Sequence, residues 1–419
     1  MSRVVFLAIG SRGDVLPMVA TARELADRGV QTMVLSHPEY TGIAEAQSIP
    51  VVSLGAGLVE HADDQRRAQS LIGNPVLAAL GLQAWQRRIA STLALVLLEH
   101  IRSDDVLITG VVGVPAALAL AEERGCHVVH VTFSATLPTA GPMAMMSPRT
   151  TRPSRLIGWW TRHGVWTGSL SLGQPLEREV RRRLRLPWRS PWAVAGRALQ
   201  MPVLIAASRL LLPPQPDWPV NTMVTGAWEL GGEPTPPGTE LVESLGNGPA
   251  PVYVGFGSML SRDPAKDLLL IDEAAARAGV AVVHRPDDSS GPLESTSMVR
   301  VVRDVDHRWL FPRCAGVIHH GGAGTTNAAL AAGVPSAIIS HGFDQPFHGR
   351  RLHEMGVGPE PLTRRRLTAE KLAGLLKEMM HGPQHESYRR TADAVGRQVR
   401  AERGTATAAD WLEKRGLLD

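Results

Sequence analysis

The stretch His319-His320-Gly321-Gly322-Ala323-Gly324-Thr325-Thr326-Asn327 follows an apolar run at 316–319 and opens a helical pattern whose apolar face includes Ala328, Leu330 and Ala331. Glycines there let the backbone approach a ligand closely. The unpaired amides of a helix start, reinforced by the helix dipole, attract negative charge. Thr325 and Thr326 add hydroxyl donors, and His320 adds a ring donor able to carry a positive charge. Such a loop suits a phosphate or pyrophosphate. It is neither a Walker A loop, which needs Gly-Lys-Ser/Thr, nor a Gly-x-Gly-x-x-Gly dinucleotide turn. The plainer alternative is a tight strand-to-helix turn with a threonine cap.

Outward from this loop, apolar runs too short for helices alternate with helical patterns. Strands are expected at 252–256, 281–284, 316–319 and 335–340, and helices at 264–278, 323–332, 369–380 and 385–403. The first half repeats the scheme, with strands at 4–10, 30–36, 50–54, 105–109 and 127–133 and helices at 15–28, 74–101 and 115–124. Such alternation predicts parallel sheets covered by helices on both faces. Between the halves lie Leu212-Pro-Pro-Gln-Pro-Asp-Trp-Pro-Val220 and Gly231-Gly-Glu-Pro-Thr-Pro-Pro-Gly238, a proline-dense connector. The expected fold class is α/β with two doubly wound, Rossmann-like domains facing each other across a cleft. An N-terminal domain is expected over 1–212, a linker over 213–238 and a C-terminal domain over 239–403. The tail 404–419 is expected to pack back toward the first domain.

Composition excludes several classes. The chain has 419 residues, 44% hydrophobic and 20% charged, which rules out a disordered chain, a coiled coil or a collagen-like fibre. The longest uncharged apolar stretch, 106–121, is interrupted by Gly110, Gly113 and Pro115 and falls short of the ~20 residues a membrane span needs. The opening run leads into Arg12 and Asp14 without a small-residue cleavage site, so a buried strand is expected there and not a signal peptide. Two cysteines, Cys126 and Cys314, point to a reducing compartment. The expected location is the cytoplasm. Net charge is +4, but the segment 149–197 carries eleven arginines against Glu177 and Glu179, which makes it +9 and the remainder −5. No nucleic-acid partner is expected.

Three further constellations sit at ends of expected strands, where open parallel sheets place their ligands. Ser340-His-Gly-Phe-Asp-Gln-Pro-Phe-His348 offers Asp344 and Gln345, whose acceptors and donors suit the hydroxyls of a sugar ring; a helix cap before Pro346 is the alternative for Asp344. Gly255-Phe-Gly-Ser258 could bring Ser258 and nearby amides to the same phosphates. Gly10-Ser-Arg-Gly-Asp-Val-Leu-Pro17 puts Asp14 at a helix start, as a cap or as a charged proton acceptor for a substrate hydroxyl.

Together these pieces resemble the family-one glycosyltransferases with the GT-B fold, and most nearly the branch of bacterial natural-product (macrolide- and glycopeptide-type) and sterol-type glucosyltransferases. The resemblance rests on 10–17, on Asp217-Trp218-Pro219 with Val224-Thr225-Gly226, on His307-Arg-Trp-Leu-Phe-Pro312, on 319–326 and on Asp344-Gln345-Pro346. It implies an inverting, metal-independent transfer of a sugar from a nucleotide diphosphate sugar, such as UDP-glucose or a dTDP-sugar, to a hydroxyl of a hydrophobic acceptor in natural-product or antibiotic biosynthesis. By resemblance Asp14 is the general base. Ser258, His320, Gly322, Gly324 and Thr325 hold the diphosphate, with His320 in place of a metal, and Asp344 with Gln345 holds the sugar. The nucleobase lies near Arg285, Val302 and Val305. No cofactor beyond the nucleotide sugar is implied, and the protein is expected as a monomer or homodimer. The chain departs from the pattern in having Arg285-Pro286 where relatives place Gly-Trp, and in having Asp itself at the base position, so no His–Asp relay is expected.

His341, His348 and His353 are expected at the surface or behind the site. In 149–197, Trp159, Trp160, Trp166, Trp188 and Trp192 fall among the arginines. The segment reads as a solvated helical face with tryptophans packed inward, as aromatic lining near the acceptor, or as a weak contact with the inner face of an anionic membrane. Two rival functions stand beside transfer: a GT-B sugar-nucleotide isomerase and a catalytically silent homologue that serves as a partner protein.

Overall fold

The computed structural model describes residues 2–57, 75–139, 155–239, 242, 245, 249–257, 263–286, 292–303 and 305–418, with side chains left aside at 75–79 and 155–161. The chain divides into two units, Met1–Gly231 with Arg403–Asp419, and Gly232–Glu402.

Among the described residues the first unit holds a seven-stranded sheet in the order β3-β2-β1-β4-β5-β6-β7, with every pairing parallel. Its strands are β1 (Val4–Ala8), β2 (Thr32–Ser36), β3 (Val51–Ser53), β4 (Val106–Thr109), β5 (His127–Thr132), β6 (Val203–Ile205) and β7 (Thr222–Val224). β1 and β4 are wholly buried and, but for Thr109, apolar, as befits strands covered on both faces. Val4, Phe6 and Ala8 pack with Val15, Met18, Val19 and Leu25 of the helix Arg12–Asp27. Ala408, Ala409 and Leu412 of the last helix, Gly404–Lys414, join the same core. Gly404 is required there, since a Cβ would lie 2.0 Å from the carbonyl oxygen of Ala227.

The proline-rich stretch expected as linker contributes structure to this unit. Thr222–Val224 adds the edge strand, and Trp228 is buried in the core with its indole N–H donating to Thr225 Oγ1 at 3.0 Å. A second difference lies after β1. The helix expected from residue 15 begins at Arg12, so Asp14 belongs to its first turn.

The second unit holds a six-stranded parallel sheet in the order β10-β9-β8-β11-β12-β13 among the described residues. The strands are β8 (Val252–Gly255), β9 (Val282–Arg285), β10 (Val299–Val301), β11 (Gly316–His319), β12 (Ser336–Ser340) and β13 (Leu362–Thr363). Register aligns Arg285, Gly255, His319 and Ile338 across four neighbouring strands. The loops that leave these strands therefore emerge side by side. Strand order reverses between β8 and β11, the switch point where open α/β sheets bind ligands. Cys126 and Cys314 are buried and unpaired.

Candidate functional site

The loop 320–322 leaves β11 at the switch point and enters the helix Ala323–Ala332. Gly322 is its N-cap and no side chain caps it, which leaves the first-turn amides of Ala323, Gly324 and Thr325 for a ligand. Thr325 is half-buried beside them. Thr326 does not serve as expected: its hydroxyl donates to Gly322 O at 2.9 Å and is buried within the helix.

His320 is 8% exposed and lies between two glycines. A Cβ on Gly257 would come 2.3 Å from its Cε1, and one on Gly322 would come 2.4 Å from its Nε2. Nδ1 of His320 is buried and has no hydrogen-bond partner among the described residues. Burial pushes its pKa down to about 4. The ring that the sequence allowed to carry a positive charge is therefore neutral at neutral pH. Ser258 lies outside the described residues.

After β12, Asp344 stands at the N-cap of the helix Gln345–Glu354 but makes no capping hydrogen bond with its side chain. Its Oδ2 lies 4.0 Å from His348 Nδ1. Gln345 is buried, and its Oε1 accepts from the amides of His341 (2.7 Å) and Gly342 (3.3 Å). Only an oxygen can accept from two N–H groups, so the side chain's orientation is settled. Gln345 offers a ligand its NH2 group, where the sequence suggested that it could both donate and accept. Phe343, between these turns, takes φ +56 and leaves its ring 48% exposed.

Of the residues expected near a nucleobase, Arg285 ends β9 and donates through Nε to Arg303 O at 2.8 Å. Val302 is buried in a cluster with Tyr253, Val283 and Phe311, and Val305 packs against it. Any contact from Val302 to a base is thus left to its backbone. The motif 307–312 forms a packed turn: His307 stacks on Phe311 with centroids 4.4 Å apart and meets Tyr253 edge-on.

In the first unit, Oδ2 of Asp14 accepts from Ser11 N at 2.8 Å and from Ser11 Oγ at 3.2 Å. Gly10 has φ +146, and a Cβ there would lie 2.2 Å from that same oxygen. Asp14 therefore supports the helix start as the capping alternative requires, and a glycine makes room for its carboxylate.

Comparison with known proteins bears on both units. The glycosyltransferase family 28 N-terminal domain matches residues 4–131, and the erythromycin biosynthesis protein CIII-like C-terminal domain matches 269–408. A sterol 3-beta-glucosyltransferase of Arabidopsis thaliana is 28% identical over 97% of this chain and 64% of its own. A terpene cyclase-glycosyl transferase fusion protein of Humicola fuscoatra is 27% identical over 98% of this chain and 34% of its own. The glycotransferase of kitacinnamycin superposes with a TM-score of 0.65 at 18% identity, covering 100% of this chain and 99% of that one. Os79 from O. sativa, solved in complex with UDP, gives 0.65 at 16% identity, covering 99% and 100%. The chain has the GT-B fold.

This GT-B chain spans about one third to two thirds of the length of the curated relatives named. Among its described residues no helix is long and apolar enough to cross a membrane, and no group of three or more His, Cys, Asp or Glu side chains is arranged to hold a metal ion.

The arginine-rich segment is far better neutralised than its sequence suggests. Arg181, Arg189 and Arg197 all donate to Glu122, at 3.0, 3.0 and 2.7 Å, and Arg181 also binds Glu177. Arg182 and Arg183 share Glu179. Trp166 is fully buried and donates to Ala195 O, while Trp188 and Trp192 are exposed. Arg149, Arg152 and the side chains of Trp159 and Trp160 lie outside the description.

Three further imidazoles lie close to the loop 320–322. His319 and His348 are fully buried against it, so of the two places expected for His348 it takes the one behind the loop and not the surface. The pKa of His341 is pushed down to about 3 by burial, and its Nε2 has no partner among the described residues. For His348 a signal existed: at four residues beyond Asp344 it shares that residue's helix face.

Proposed function

We propose that the protein transfers a sugar from a nucleoside diphosphate sugar, UDP- or dTDP-linked, to a hydroxyl of a hydrophobic small molecule, with inversion and without a divalent metal. The observation that carries this reading is the uncapped helix start at the β8/β11 switch point with His320 lodged beside it between Gly257 and Gly322.

The amides of 322–325, the hydroxyl of Thr325 and the ring of His320 hold the diphosphate, with Ser258 as a further donor. The sugar is held by the Asp344 carboxylate as acceptor and the Gln345 amide group as donor. The base lies by Arg285 and the backbone of Val302 and Val305. The acceptor oxygen attacks the anomeric carbon from the face opposite the diphosphate while the bond to the diphosphate oxygen breaks, and its proton passes to Asp14. A single displacement inverts the centre. Loop amides and His320 stabilise the charge that grows on the leaving group. The names of the sterol glucosyltransferase relative and of the kitacinnamycin enzyme favour a sterol-like or natural-product acceptor.

The test is a panel of UDP- and dTDP-sugars against sterol and polyketide acceptors, with products identified by mass and by anomeric coupling. An inverted glycoside formed equally well in EDTA is expected. A product of retained configuration defeats the single displacement, and activity lost in EDTA and restored by magnesium defeats metal independence. A sugar nucleotide rearranged without any acceptor favours the isomerase. A folded protein that neither binds nor turns over any donor favours the silent homologue.

A further inference from the structure

Gly321 is held on both sides by imidazoles. Its N–H donates to Nδ1 of His319 at 3.1 Å, and its carbonyl accepts from Nδ1 of His348 at 2.7 Å. His319 is the last residue of β11 and His348 lies in the helix Gln345–Glu354; both are 0% exposed. Gly321 itself has φ +92 and is closely packed, since a Cβ there would lie 2.9 Å from Ile338 Cγ2 and 3.1 Å from Gln345 Cβ.

The two bonds set the ring protonation. Nδ1 of His319 must keep its lone pair to accept from an amide, so that ring is neutral with its proton on Nε2. Nδ1 of His348 must carry a proton to donate to a carbonyl. Burial, with the imidazoles of His320, His348 and His307 nearby, holds the pKa of His319 well below its usual value, in agreement with this assignment. The charged neighbour facing His348 is Asp344, at 4.0 Å.

The bonded groups belong to consecutive peptide planes. Gly321 N–H lies in the plane that joins it to His320, and Gly321 C=O lies in the plane that joins it to Gly322. Glycine has the least conformational restraint of any residue, and here it sits between the ring donor and the first free amide of the phosphate loop. Without both bonds, either plane could turn and re-aim those groups.

We propose that His319 and His348 are positioning residues: a two-imidazole clip that locks both peptide planes of Gly321 and thereby aims the His320 ring and the amides of 322–325. Its consequence for the donor rests on the phosphate-site reading above, whereas the clip itself is a property of the ligand-free backbone.

The test uses the whole protein with two readouts, hydrogen–deuterium exchange of amides 319–326 without ligand and the dissociation constant for UDP. Asparagine places its amide where Nδ1 of histidine sits, so His319→Asn can accept through oxygen and His348→Asn can donate through nitrogen. His319→Leu and His348→Leu fill the space and can do neither. The Leu variants should exchange about tenfold faster across 319–326 and bind UDP about tenfold more weakly, the scale of one hydrogen bond, while the first unit exchanges as in wild type. The Asn variants should stay near wild type in both. Folded Leu variants with wild-type exchange at 319–326, or Asn variants as impaired as Leu, overturn the clip. Should a Leu variant not fold, the corresponding Gln variant, whose amide reaches one bond too far, takes its place with the same outcomes. Wild-type protein that binds neither UDP nor dTDP defeats the donor reading alone and leaves the exchange comparison to judge the clip.

Discussion

The ring of His320 occupies the space that a side chain at Gly257 would need, with Cε1 only 2.3 Å from the position of a Cβ there. Gly257 comes from the loop after β8 and His320 from the loop after β11, so the glycine of one strand end makes the donor of the next possible. Its φ of +63 adds a second reason for glycine. Gly257→Ala should weaken UDP binding about tenfold or more by displacing the ring. Joined to His320→Ala it should cost far less, because the obstructed ring is gone. Calorimetric titration of the four proteins measures this; equal losses in both backgrounds would show that residue 257 acts independently of His320.

His320→Ala alone should weaken UDP binding and slow turnover, since the departing diphosphate loses a donor of a kind typically worth ~3 kcal/mol. Unchanged affinity together with unchanged turnover would count against the assignment.

Asp14→Asn separates the two roles of that carboxylate. An asparagine oxygen can still accept from Ser11 N, so the helix start should hold and the melting temperature should move little. Loss of proton acceptance should reduce turnover by roughly 10²–10⁴-fold with donor affinity near wild type. Near-normal sugar transfer by the folded variant would leave Asp14 as a cap and no more.

Glu122→Gln removes the charge that three arginines share. Arg181 is 4% exposed in its side chain, so the change leaves a buried guanidinium with Glu177 as its remaining charged partner and Pro187 O as a neutral acceptor. Solvent reaches Glu122 itself, which limits the effect to about 1–2 kcal/mol. Urea unfolding of the first unit gives the number, and a midpoint equal to wild type would contradict it.

Acid should destabilise the fold through its buried imidazoles. Burial lowers the pKa of His130 and of His320 to about 4 and that of His341 to about 3, against 6.5 for an ordinary histidine. Below pH 6.5 the unfolded chain takes up protons that the folded chain refuses, so stability is full above that value and is lost as pH falls toward 4. Each group contributes roughly 1–1.5 kcal/mol of loss by pH 5.5. Urea midpoints at pH 7.5 and 5.5 test this, and His320→Asn should flatten the dependence. A midpoint that does not fall would refute the burial argument.

Two α/β units and the glycine loop between β11 and its helix were legible in the sequence, because buried parallel strands are continuous apolar runs and glycine loops are local. Of the three-residue strands, Val51–Ser53 was expected and three others were not. Val203–Ile205, Thr222–Val224 and Val299–Val301 have three residues each, too few to show a period, and the second of them lies in a stretch that prolines mark as a connector. The order of strands within each sheet was equally hidden, since alternation along a chain does not say which strands become neighbours.

By itself the sequence determined where glycines, threonines and His320 stand on the loop between β11 and its helix, for that information lies within a few consecutive residues. Only the tertiary structure decided which polar atoms remain for a ligand. Gln345 keeps its NH2 because two amides take its oxygen, Thr326 gives its hydroxyl to Gly322 O, and Gly321 is gripped by His319 and, across 27 residues, by His348. Arg181 finds Glu122 across 59 residues in the same way. Hydrogen bonds of this kind depend on strand register and on the direction of each side chain, which packing sets and spacing along the chain does not encode.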